Sequence, residues 1–266
     1  MFILQTLFWL IMERGRFRDK MSLRKRPVLF MNFVICVYQQ ERQVTHMKKG
    51  LTELVFILDR SGSMVGLESD TIGGFNGMLE KQKKEEGEAN VTTVLFDDQI
   101  EIIHDRFPIS AVNPLNDNDY FVRGSTALLD AVGSTVKKME NIQKRLPEEL
   151  RAENVIFVIT TDGQENASQE YSANMVKKMI ETNQEKGWQF LFLGANMDAV
   201  KEADKIGIRK THAASYKPSA AGVRLNYEVA GNVLSCMRVA DCSMEEKLLK
   251  VPEFLKTIKE YMEEEE

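Results

Sequence analysis

ELVFILDRSGSMVG, residues 53–66, decides how the chain is read. Leu54 to Leu58 is an unbroken apolar run too short for a helix that must hold a core. A run of this kind, closed by a polar turn, is the pattern of a strand buried on both faces of a parallel sheet. It stops at Asp59, and the next residues, Arg60-Ser61-Gly62-Ser63, place a carboxylate and two hydroxyls in a short turn whose glycine lets the backbone bend. The stretch therefore predicts a buried strand delivering oxygen ligands at its C-terminal end.

Working outward, the alternation continues. Ile72, Phe75, Met78, Leu79 and Gln82 lie on one helical stripe, with Asp70 or Thr71 as its cap. Val91 to Phe96 reads as a second strand. Asp97-Asp98 reads as a tight turn into a third, Ile100 to Phe107, its antiparallel partner. A helix starting near Thr126 carries Leu128, Val132, Val136 and Met139 on one face and ends before Pro147. Val155 to Ile159 is the next strand, and Val176, Met179, Ile180 and Asn183 the next helix. Trp188 to Leu193 is a further strand, Ala195 to Ile206 a short helix, and Ile208 to Ala213 the last strand. Leu225, Val229, Val233 and Cys236 mark the helix after it. From Met244 a helical tail runs to four glutamates, read as a solvated end. Strands alternating with crossover helices predict a doubly wound, mostly parallel open α/β sheet with one antiparallel edge strand and helices on both faces. Such sheets hold ligands beyond the C-terminal strand ends, where the strand order reverses.

Composition narrows the function. The chain has 266 residues and a formal charge of −5. Residues 1–46 hold eight Lys/Arg against three Asp/Glu, whereas the remainder holds 27 against 37 and so carries −10. An acidic body excludes a phosphate-backbone partner, because nucleic-acid affinity comes largely from Lys and Arg displacing counterions. Cys36, Cys236 and Cys242 form no CxxC pair, and His46, His104 and His212 are scattered. Neither a disulfide framework nor a zinc site follows, and a reducing, cytoplasmic setting is expected.

Residues 1–46 differ from the rest. The apolar runs at 2–12 and 28–37 are too short to span a bilayer, and Arg14, Arg16 and Arg18 follow the first run where a secretory signal would have them before it. This stretch is expected to be a poorly ordered extension, or untranslated with initiation at Met47; a membrane-peripheral anchor is the alternative, and no membrane span is expected. Three divisions result: the extension at 1–46, a domain at 47–240, and a helical acidic tail at 241–266.

Three loops carry the chemistry: Asp59-Arg60-Ser61-Gly62-Ser63 after the first strand, Gly124-Ser125-Thr126 opening a helix, and Thr160-Thr161-Asp162-Gly163 after the strand at 155–159. Every side chain of interest bears oxygen, the preference of a hard cation such as Mg²⁺, which takes six oxygens and keeps some of its water. Three hydroxyls and two carboxylates supply only two negative charges, leaving the ion attractive to one more anionic oxygen.

DRSGS, GST and TDG, in this order and on this strand–helix pattern, resemble the DxSxS, Thr and Asp elements of the metal-ion-dependent adhesion site of von Willebrand factor A domains. The likeness covers roughly residues 51–240. FDD at 96–98 and GANMDAVKEADKIGI at 194–208 are similar to segments of small bacterial, cytosolic-type members. The resemblance implies that Asp59, Ser61, Ser63, Thr126 and Asp162 take the five metal positions, for Mg²⁺ or Mn²⁺. Ser61 and Ser63 would be direct ligands, Thr126 direct in one state, and the aspartates direct or water-mediated. It implies a non-enzymatic module whose ion binds an Asp or Glu supplied by another protein. Two alternatives stay open: a metal-dependent hydrolase or phosphatase-like enzyme using the same site, and a scaffold whose ion only staples the loops. Against an enzyme, Ser61 stands where phosphatases with a nucleophilic Asp need a second acid, and no GxSxG elbow, P-loop or HExxH occurs. Asp97 and Asp98 are expected to serve only the turn.

Overall fold

Six apolar runs of the sequence become six strands of one sheet in the computed structural model, which describes residues 48–238 and 243–264. The extension expected over 1–46, with Cys36 and His46, lies outside the described residues, as does Cys242. The strands are β1 (Lys48–Asp59), β2 (Ala89–Phe96), β3 (Ile100–Pro108), β4 (Ala152–Thr161), β5 (Gln189–Ala195) and β6 (Ala213–Tyr216). The helices are α1 (Glu68–Gln82), α2 (Leu128–Arg145), α3 (Ala173–Glu185), α4 (Ala199–Lys205), α5 (Ala220–Arg238) and α6 (Met244–Glu264).

The sheet order is β3-β2-β1-β4-β5-β6, with every pair parallel except β2–β3. This is the mostly parallel sheet with one antiparallel edge that the sequence predicts. From β1 the chain moves outward to β2, and from β4 it moves outward the other way to β5. The order therefore reverses between β1 and β4, and the loops after these two strands face each other across the switch point.

Strand periodicity divides the core in two. Leu54, Phe56 and Leu58 of β1, Ile156 and Val158 of β4, and Leu191 and Leu193 of β5 face one layer, under α1, α5 and α6. Val55 and Ile57, then Val155, Phe157 and Ile159, then Phe190 and Phe192 face the other, under α2, α3 and α4. Alternate side chains of a strand point to opposite faces, so a central strand with both faces covered must be apolar at every position. Leu54 to Leu58 are all fully buried. Phe56 meets Phe75 of α1 edge to face at 5.2 Å, and Phe157 stacks on Phe190 at 4.8 Å. Val251, Leu255 and Ile258 of α6 join the first layer. Among the described residues no helix is long and apolar enough to cross a membrane.

Three local expectations are corrected. α1 starts at Glu68 after Leu67, so neither Asp70 nor Thr71 caps it; the Asp70 carboxylate instead accepts from Arg224 of α5 at 2.8 Å. The helix expected from Ala195 is only Ala199–Lys205, capped by the Asp198 carboxylate on the Lys201 N–H. Residues 210–212 form a 3₁₀ turn, and the last strand is Ala213–Tyr216 in place of 208–213.

Candidate metal centre

β1 ends at Asp59, whose side chain is turned inward and almost wholly buried. Its Oδ1 accepts the Ser61 N–H at 2.7 Å, which folds the chain into a 3₁₀ turn over Gly62–Met64. Its Oδ2 accepts the Thr161 hydroxyl at 2.5 Å, a bond that joins the ends of β1 and β4. Tyr120 donates its buried hydroxyl to the Asp59 carbonyl. The turn places the Ser61 and Ser63 hydroxyls 3.1 Å apart, and Ser63 donates to Asp162 Oδ1 at 2.5 Å.

Thr126 precedes α2 and is held by its backbone. Its N–H donates to Asn166 Oδ1 at 2.9 Å, and its carbonyl accepts from the Asn166 and Ala167 N–H groups. The start of α2 takes its caps from the third loop: Leu129 N–H donates to Glu165 Oε2, and Asp130 N–H to Ser168 Oγ, each satisfying a helix-end donor. In return, the Asp130 carboxylate accepts three successive N–H groups, of Gln169, Glu170 and Tyr171. Sequence reasoning missed Asn166, Glu165 and Thr161; the signal was a carboxylate and an amide directly after the Asp162-Gly163 turn.

How closely the hydroxyls converge is measured at Gly163. A Cβ built on that residue would lie 2.7 Å from Thr126 Oγ1, 3.0 Å from Ser63 Oγ and 3.4 Å from Ser61 Oγ. The three hydroxyls thus line one small space beside the Gly163 backbone, and only a residue without a side chain leaves it clear. Asp162 Oδ2 is buried at the same place with no hydrogen-bond partner. Four of the five expected residues therefore share one space, and Asp59 stands behind them, bonded to the Ser61 N–H and to Thr161.

The electrostatics match a site short of positive charge. Burial raises the Asp59 carboxyl above its ordinary range, against the lowering effect of its hydrogen bonds from Ser61 and Thr161. Burial also lifts Asp162, to about 6; the Ser63 hydrogen bond opposes this and the negative charge of Asp59 adds to it. The basic residue of the first loop does not answer them. Arg60 Nε donates to Asp97 at 2.9 Å, and its Nη1 lies 2.8 Å from Glu101 Oε2, an ion pair without hydrogen-bond geometry. Among the described residues there is no group of three or more His, Cys, Asp or Glu that could hold a metal. Any ion here would depend mainly on hydroxyls, a donor set that fits a hard cation and not a soft one.

No protein-family model matches the sequence, and no curated protein matches it. Solved structures match it in shape. The chain superposes on the von Willebrand factor domain of the type V pili tip protein Mfa5 from Porphyromonas gingivalis with a TM-score of 0.51 at 11% identity, covering 75% of this chain and 99% of that one. Proximal thread matrix protein 1 of the mussel byssus, in a structure with a zinc-occupied MIDAS motif, gives 0.48 at 16% identity over 71% of this chain and 47% of that one. A von Willebrand factor type A protein from Catenulispora acidiphila gives 0.45 at 12% over 68% and 42%. This chain thus spans less than half the length of those two proteins. With the sheet order above and a match over nearly all of the Mfa5 domain, the chain has a von Willebrand factor A-like fold.

Proposed function

We propose that this chain is a metal-dependent protein-binding module in which Asp59, Ser61, Ser63, Thr126 and Asp162 hold one Mg²⁺ or Mn²⁺, and the ion receives an Asp or Glu carboxylate from another protein. The observation that supports it is the space beside Gly163, faced by three hydroxyls and adjoined by the unpartnered Asp162 Oδ2. A buried carboxylate oxygen without a partner is costly unless a cation or proton answers it. Two carboxylates neutralise a divalent ion only formally, so the bound ion, as a Lewis acid, still attracts an anionic oxygen. The chain's own part is to hold the hydroxyls in place and keep Asp59 and Asp162 dry.

We read the site as binding and not catalytic. The serine hydroxyls bond to each other and to Asp162, while the two described histidines bond elsewhere, His104 to Thr93 and His212 to Thr211. A cytoplasmic setting accompanies this reading, from the cysteine usage of the sequence. The test is calorimetric titration of Mg²⁺ and Mn²⁺ into the wild type and into Asp59→Ala. Binding by the wild type and its loss in the variant are expected; equal affinity would defeat the assignment. Binding of a glutamate-bearing peptide should then be abolished by EDTA and by Asp162→Ala.

A further inference from the structure

We infer that Asp97, which lies outside the five-residue set, is the positioning residue that fixes the Thr126 loop against the Ser61–Ser63 turn, and so sets the affinity of the site for its ion. The inference rests on the metal-binding reading. It replaces the expectation that Asp97 only forms a turn.

Asp97 follows β2 and is fully buried, although it opens the hairpin turn into β3. One carboxylate oxygen, Oδ2, accepts both Arg60 Nε at 2.9 Å and Arg123 Nε at 2.6 Å. The other, Oδ1, accepts the Gln99 N–H at 2.6 Å and holds the turn itself. The Asp97 carbonyl accepts the N–H of Ala127 at 2.8 Å. Arg60 lies between Asp59 and Ser61, Arg123 lies three residues before Thr126, and Ala127 is the residue after it. A single aspartate therefore grips the first loop once and the second loop on both sides of its threonine.

Backbone bonds carry the same connection. Arg60 N–H donates to the Phe96 carbonyl, Arg123 N–H to the Arg60 carbonyl, and Gly62 N–H to the Gly124 carbonyl, at 2.8, 2.9 and 3.1 Å. Gly124 has a φ of +67°, and a Cβ there would come within 2.1 Å of Asp98 Oδ1 and 3.3 Å of Asp97 Cβ, so this loop lies directly on the hairpin turn. The Phe121 ring sits 5.4 Å from the Arg60 guanidinium and 5.3 Å from that of Arg123. Among the described residues, removing Asp97's charge would leave the fully buried Arg60 with only the half-exposed Glu101 as an ion-pair partner. The loop that bears Thr126 would lose its side-chain ion pair at Arg123 and keep there the backbone bond from the Arg123 N–H to the Arg60 carbonyl.

The sheet contains its own control. Glu53, in the middle of β1, is equally buried and paired with Arg106, through Nη2 at 2.5 Å and Nε at 3.1 Å. It lies six residues from Asp59, about 20 Å along the strand. Loss of that pair removes a buried ion pair from the same sheet without touching the loops.

The experiment measures Mn²⁺ affinity of the full chain by calorimetry and by the loss of free-ion signal in electron paramagnetic resonance. The variants are Asp97→Asn, Arg123→Gln and Glu53→Gln, each at a temperature where it is fully folded. Partners that orient metal ligands are typically worth about 10- to 100-fold in affinity. Asp97→Asn is expected to weaken binding by that range, Arg123→Gln by about 10-fold, and Glu53→Gln not at all. Arg123→Gln is decisive, because it removes a positive charge. Long-range charge alone would then tighten Mn²⁺ binding, whereas a displaced Thr126 weakens it. Unchanged or tighter binding in Arg123→Gln overturns the inference, as does equal weakening in Glu53→Gln. Arg123 is partly exposed, so that variant carries the test if Asp97→Asn does not fold. If the wild type binds no Mn²⁺, the metal-binding reading fails by itself, and hydrogen exchange decides the rest. The Arg123 and Ala127 amides should then exchange faster in Asp97→Asn while those of Val55 to Leu58 do not change; equal exchange at all of them overturns the positioning role.

Discussion

Substituting Gly163 by alanine separates the site from the fold more sharply than removing any proposed ligand. Gly163 is not among the glycines with left-handed backbone, so alanine can adopt its conformation. The three atoms nearest the added methyl are all hydroxyl oxygens, at 2.7, 3.0 and 3.4 Å, and the closest, on Thr126, must turn away. Overpacking ordinarily costs about 1–3 kcal/mol, and replacing glycine returns about 0.4–1 kcal/mol through the unfolded chain. Because the neighbours are rotatable side-chain tips, the net cost should be small, about 0–2 kcal/mol. Metal binding should not survive. An ion bound at about 2.0–2.1 Å from oxygen needs the space the methyl fills and the hydroxyl that the methyl displaces. Wild-type protein at 100 times its Kd for Mg²⁺ gains about 2.7 kcal/mol of stability. For a domain of this size that is roughly 5–10 °C in Tm. Thermal melts with and without Mg²⁺ should show this rise in the wild type and none in Gly163→Ala, whose metal-free Tm stays within a few degrees of normal. A full Mg²⁺-dependent rise in Gly163→Ala would refute the claim that the three hydroxyls face the ion.

The remaining expectations concern charge and packing. Asp162 has its carboxyl raised to about 6 in the metal-free fold, so the folded protein binds a proton that the unfolded chain, titrating near 4, has released. Stability of the metal-free protein therefore falls as pH rises from about 4 to 6 on this account. Asp162→Asn should stabilise it above pH 6 by on the order of 1–3 kcal/mol, with no gain below pH 4, while abolishing the Mg²⁺-dependent Tm rise; denaturant melts across this pH range measure the difference. His212 works in the opposite direction. Burial, with the charge of Arg209, depresses it to about 4, so the unfolded chain takes up the proton first and stability falls as pH drops from about 6.5 to 4. His212→Gln should flatten that acid-side loss, and an unchanged slope would show that another group carries it. Phe75→Ala removes the ring that meets Phe56 edge to face in a fully buried position; it should cost about 3–5 kcal/mol by urea denaturation and leave the Mg²⁺ affinity of the folded fraction unchanged.

What could be read in advance depended on whether a residue's role was local. The strands of the core were legible because a two-sided buried strand must be apolar throughout, and Leu54 to Leu58 meet that condition without reference to anything distant. The last strand was misplaced because Ile208 is apolar for another reason: its N–H bonds the Ala203 carbonyl to close α4, and its side chain fills the core from a turn. The five proposed site residues could be picked out as oxygen-bearing positions at strand ends and a helix start. Their supports were not. Asp97 looked like half of an Asp-Asp turn, and nothing nearby in sequence says that one aspartate turns inward to Arg60 and Arg123, 37 and 26 residues away. Asn166 and Glu165 are similar: their partners are the backbone of Thr126 and the first turn of α2, contacts that exist only once the sheet order brings β1 and β4 together.

Cross-bracing of this kind bears on how the site would recruit a carboxylate under the proposed function. The three loops are tied to one another by backbone bonds and by Asp97, Asn166 and Thr161, so the oxygens are held in place without an ion and little ordering would remain if one bound. Outside residues 1–46 the chain carries −10, which repels an acidic partner at a distance, and Asp59 and Asp162 repel it at the site itself. A glutamate could therefore approach these loops only if a cation reverses the local sign. The same two buried carboxylates that disfavour an acidic partner when the site lacks an ion are those that would hold the ion in place. On the proposed reading, metal dependence is thus expected to be strict and not merely supportive: without the ion, the surface proposed to bind the partner would exclude it.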